Sequence, residues 1–100
     1  MKKNLSKAQR LLARTYKDGE VLDDKLSRLS KARVHGVSKW VRAYQNAHAF
    51  YALCLNASGD KVLQERLFGK RLHLKELQGV LQAARRNYET ALDSLLHKLG

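Results

Sequence analysis

Between Asp60 and Leu99, apolar side chains recur at alternating steps of four and three. Leu63, Leu67, Leu74, Leu77, Leu81, Ala84, Tyr88, Ala91 and Leu95 keep this spacing, and Lys70 is the one polar member of the series. Such a run places one residue type along one side of an α-helix and suits no strand, whose side chains alternate with a period of two. Proline, which breaks helices, is absent from the whole chain. The chain is therefore constrained toward long helices. An uninterrupted helix over this stretch would extend about 60 Å at 1.5 Å per residue. Gly69 and Gly79 weaken it without shifting its phase.

Two further helical stretches precede it. The first spans about Asn4 to Val34. Leu5, Ala8 and Leu12 set a phase that resumes at Leu22, Leu26 and Leu29. Asp18-Gly19 is a turn-prone pair, so the stretch is one helix, kinked or not, or two short ones with Asp18 capping the second; the retained phase favours one helix. His35-Gly36 closes the stretch, with Gly36 as a C-terminal cap. The second helix runs from Val37 to Leu55 with Ser38 as N-cap. Val37, Trp40, Val41, Tyr44, Ala47, His48, Tyr51 and Leu55 share one face, and Ala49, Phe50, Leu53 and Cys54 fill the other. An all-round apolar segment from Ala47 to Leu55 reads as buried. Asn56-Ala57-Ser58-Gly59 is a loop. The expected fold is all-α: one domain over residues 1–100, an antiparallel bundle of three long helices, the last with heptad spacing. The length of a 100-residue chain fits a single domain.

Charge narrows the choice of partner. The formal net charge is +11, and it is unevenly placed. Residues 1–42 hold 12 basic and 4 acidic side chains, and residues 43–60 hold only Asp60. Residues 61–100 hold 8 basic and 4 acidic side chains. Self-repulsion on this scale calls for counter-charge from nucleic acid, an anionic membrane or an acidic protein. Lys3, Lys7, Arg10, Arg14 and Lys17 recur at steps of four and three, which sets them in one row on a helix. Cations about 5–6 Å apart can follow a phosphate backbone, with affinity supplied by counterion release. Lys39 and Arg42 flank Trp40, a combination that can stack a base and pair a phosphate. Arg66, Lys70, Arg71 and Lys75 form a further patch and Arg85-Arg86 another, and a lysine at the Lys70 seam position can also snorkel or set register in an oligomer.

Catalytic signals are poor. His35, His48, His73 and His97 never stand three or four residues apart, and a single cysteine makes neither a disulfide nor a zinc cluster. Cys54 lies in an apolar run, where a thiol is inert. No glycine-rich phosphate loop is present. The chain contains no apolar run of the length a membrane span requires, and no signal-peptide pattern follows Lys2-Lys3. These readings describe a cytoplasmic, non-enzymatic protein without cofactor or metal. The expected partner is DNA or RNA, bound with low sequence specificity, as by an accessory subunit of a nucleoprotein complex or a phage or plasmid regulator. The alternative is an inhibitor, adaptor or immunity protein docking an acidic partner. Membrane binding through the N-terminal amphipathic segment ranks below both. The heptad face of the third helix suggests a homodimer.

Overall fold

The structure is a computed structural model that describes residues 7–100. It contains five helices: α1 (Lys7–Ser27), α2 (Lys31–Gly36), α3 (Ser38–Ala57), α4 (Lys61–Phe68) and α5 (Leu74–Leu99). Helix accounts for 86% of the described residues, with no strand among them.

The first stretch is continuous through Asp18-Gly19, within α1, and breaks further on. Gly19 faces α3 there, and a Cβ on it would lie 3.4 Å from His48 Nε2 and 3.6 Å from Tyr44 Oη. The glycine lets α3 approach closely, which offsets its poor helix propensity. Asp18 is accordingly not a cap. The break falls at 28–30. Ser27 Oγ donates to Asp24 O at 2.7 Å, and the Ser30 side chain accepts from Arg33 N–H at 3.3 Å, capping α2. Val37, not Ser38, holds the N-cap position of α3, its carbonyl accepting from Trp40 N–H at 2.9 Å.

The long C-terminal helix is also divided. Gly69 adopts φ 79°, a left-handed conformation that ends α4. Its N–H donates to Glu65 O at 2.9 Å. The connector to α5 is held by Gln64, which is only 5% exposed. Its amide donates to Ala57 O at 2.9 Å and accepts from Leu72 N–H at 3.1 Å. Asp60 Oδ1 caps α4 by accepting from Leu63 N–H at 3.0 Å, and Glu76 Oε1 accepts from His73 N–H at 3.0 Å at the start of α5. Gly79 stays inside α5. The heptad phase therefore governs α5 alone, and Lys70 sits exposed in the connector instead of on a seam.

α3 is the hub. It packs against α1, α2, α4 and α5. The buried cluster takes Tyr44, Ala47, Tyr51, Cys54 and Leu55 from α3, Leu22 from α1, and Ala84, Tyr88 and Leu95 from α5. The heptad residues of α5 from Leu77 onward are thus buried or partly buried toward this cluster, while Leu74 at its start is 70% exposed. The molecule is flattened, 45 × 37 × 19 Å, so α3 is covered on one side only. Phe50 and Leu53 consequently stand 44% and 45% exposed, where the apolar run predicts burial.

Candidate nucleic-acid interface

The row of cations survives on one helix. Lys7, Arg10, Arg14 and Lys17 are all exposed on α1. Ala8, Leu11, Leu12 and Leu22 of the same helix face the core, which turns the row outward. Among the described residues Lys7, Arg14 and Lys17 form no ion pair. Lys3 lies outside the described residues. The row is not free of acids. Arg14 shares a cleft of about 410 Å³ with Asp18, Arg85, Glu89 and Asp93. Further along the chain, Arg28 Nη2 pairs with Asp24 Oδ2 at 3.1 Å.

The remaining candidates separate. Lys39 and Arg42 are exposed at the start of α3, and Arg66 is exposed on α4. Lys70 Nζ lies 3.1 Å from Glu76 Oε2, and Arg71 Nε lies 2.9 Å from Glu65 Oε2. These two cations tie the α4–α5 connector down. Hydrogen bonds from the His73 N–H first, and from Lys70 second, hold the Glu76 carboxyl below its ordinary range. Exposed pairs of this kind add little stability. Their charge is already partly neutralised within the chain.

Two basic residues join the set that spacing along the sequence did not reveal. Lys98 Nζ lies 4.9 Å from the Trp40 ring centroid, with Lys39 Nζ at 5.4 Å. Arg33 Nη2 donates to Leu99 O at 3.5 Å. Trp40 and Lys98 stand far apart in the chain, so only the return of α5 along α3 brings them together.

The interior carries a cluster of aromatic and polar side chains. The His48 ring lies 5.5 Å from Tyr44, 5.9 Å from Tyr88 and 6.0 Å from Tyr16, centroid to centroid. His48 Nε2 donates to Thr15 O at 3.1 Å, which fixes that nitrogen as the protonated one. Tyr88 Oη donates to Asp18 Oδ2 at 3.0 Å, joining α5 to α1. Burial pushes the Tyr44, Tyr51 and Tyr88 phenols up, and at Tyr88 the neighbouring Tyr44 and Asp18 add to it. These neutral, packed phenols act as core side chains. Cys54 is fully buried, and burial pushes its thiol up, which disfavours the reactive thiolate. Among the described residues no group of three or more His, Cys, Asp and Glu side chains is placed to hold a metal ion, and no helix is long and apolar enough to cross a membrane.

No family model matches this chain, and no curated protein or solved structure matches it significantly.

Proposed function

We propose that this protein binds nucleic acid through the phosphate backbone, without catalysis and with low sequence specificity, as a cytoplasmic accessory subunit of a nucleoprotein complex or a phage or plasmid regulator. One observation carries the reading: Lys7, Arg10, Arg14 and Lys17 stand exposed in one row on the unbroken helix α1. A rigid row of cations neutralises successive phosphates and releases their counterions. Lys39, Arg42 and Arg66 add exposed cations elsewhere on the molecule, while Lys70 and Arg71 contribute less because of their glutamate partners.

The contact register supports reading α1, α3 and α5 as an antiparallel bundle that presents this row. Thr15 meets His48 and Gly19 meets Tyr44, while Tyr51 meets Tyr88 and Trp40 meets Lys98. A homodimer through the heptad face loses its motive, since Leu77, Ala84, Tyr88 and Leu95 are buried within the chain itself. The amphipathic membrane reading loses its own, since Leu11 and Leu12 pack against the core.

A protein-interaction module is the second reading, favoured by Phe50 and Leu53 exposed on a face of α3 with no charge near them in sequence. The two readings separate on one preparation. Protein purified at low salt carries nucleic acid and shows a raised ratio of absorbance at 260 nm to that at 280 nm under the first reading. Under the second it carries a stoichiometric protein and a normal ratio. Arg10→Glu with Arg14→Glu then removes nucleic acid while preserving the helical circular-dichroism signal. Lys7→Glu with Lys17→Glu serves as a second pair, clear of the acids beside Arg14. Absence of any retained DNA or RNA at low salt refutes the proposal.

A further inference from the structure

The corner where α3 begins and α5 ends carries features that a row of phosphate contacts does not use. Trp40 is half-buried there, fixed on its inner side by the core. Its ring lines an open cavity of about 390 Å³ with Asp93, Ser94, His97 and Lys98. Lys98 and Lys39 hold their ammonium groups 4.9 and 5.4 Å from the ring centroid. Arg33 reaches the same end of α5 through its 3.5 Å bond to Leu99 O. The indole N–H has no hydrogen-bond partner among the described residues.

We propose that this corner takes one unstacked base of a single-stranded nucleic acid. The Trp40 ring supplies the stacking platform. Lys39, Lys98 and Arg33 supply cations for the flanking phosphates. A lysine over the ring moves to a phosphate as the base takes its place, exchanging a cation–π contact for a charge-assisted bond. The cavity suits a nucleobase better than a bare phosphate. Asp93 repels an anion but accepts from an exocyclic amine, and Ser94 and His97 offer hydroxyl and ring nitrogens to a base edge. A duplex keeps its bases stacked inside, out of reach of a platform at the end of a helical bundle, so the corner selects single strands. This inference rests on the nucleic-acid reading above and names its ligand class.

Trp40 is the only tryptophan, so its fluorescence reports this corner alone. The full chain is titrated at low salt with end-labelled oligothymidylate and, separately, with a blunt DNA duplex of equal length. Label anisotropy reports binding, and tryptophan emission reports stacking. The expected result is that the single strand binds and quenches Trp40, while the duplex leaves its emission unchanged. Trp40→Leu weakens single-strand binding by about tenfold, the scale of one lost base stack, and spares any duplex binding. Lys98→Ala, at an exposed position on the last turn, weakens single-strand binding in the same direction and serves if the tryptophan variant does not fold. Binding of both oligonucleotides with unchanged Trp40 emission overturns the corner and leaves the α1 row standing. Failure of both oligonucleotides to bind overturns both proposals together.

Discussion

Gly69 and Gly79 occupy one apolar series in the sequence, yet their replacement by alanine should have opposite effects. Gly79 lies within α5, and a Cβ there meets nothing within 4 Å. Gly79→Ala therefore gains the propensity difference between the two residues in a helix interior, about 1 kcal/mol. For a domain of this size that raises Tm by about 4–8 °C. Gly69 also has open space around its Cβ position, but its φ is 79°. An L-residue in that left-handed conformation costs about 1–2 kcal/mol. The narrower unfolded ensemble of alanine returns about 0.4–1 kcal/mol. Gly69→Ala is therefore destabilising by about 1 kcal/mol, with a fall in Tm of similar size to the rise at Gly79. Thermal melts followed by circular dichroism at 222 nm read both changes. If both variants raise Tm and helicity, the helix runs through Gly69 as the periodicity alone predicts, and the α4–α5 connector described above is wrong.

Tyr88→Phe removes the 3.0 Å bond to the half-buried Asp18 and should cost about 1.5–3 kcal/mol in urea unfolding, the scale of a hydrogen bond to a charged group; a loss too small to measure would mean that this bond does not join α5 to α1. Raising the pH should destabilise the fold. The phenols of Tyr44, Tyr51 and Tyr88 are all pushed up in the folded protein. Their contribution is complete below the unfolded value of about 10 and declines as pH rises beyond it, because only the unfolded chain then ionises freely. Urea midpoints that stay level from neutral pH to above pH 10 would contradict this. Lys70→Ala with Arg71→Ala should leave the thermal midpoint nearly unchanged, because both ion pairs are exposed, and should weaken nucleic-acid binding less than Lys7→Glu with Lys17→Glu, as judged by anisotropy titrations.

Much of the helical content is readable from spacing, and the departures have local physical causes. The inward face of α3 follows from its apolar period: Tyr44, Ala47, Tyr51 and Leu55 are all buried. Boundaries depend on side chains that periodicity ignores. Ser30 begins a new helix by accepting from Arg33 N–H, and Gln64 organises the connector through bonds to Ala57 and Leu72. Gly19 and Gly69 are equal as letters. One lies beneath aromatic rings and continues a helix, and the other turns left-handed and ends one. Phe50 and Leu53 reveal a different limit, because an apolar face is buried only where a neighbour reaches it. The cation row on α1 is local and therefore legible. The Trp40 corner was half legible, through Lys39, since Lys98 and Arg33 join it only by packing of α5 and α2.

The salt dependence of binding tests the central claim most directly. The affinity for oligothymidylate, measured by anisotropy over a series of salt concentrations, should fall linearly on logarithmic axes. Four phosphates neutralised by Lys7, Arg10, Arg14 and Lys17 account for about −3 of the slope for a single strand, to which phosphates held at the Trp40 corner add. Lys7→Glu with Lys17→Glu should remove at least half of the α1 share. A slope near zero, or one that these substitutions leave unchanged, would contradict the assignment of the α1 row as the phosphate-binding surface.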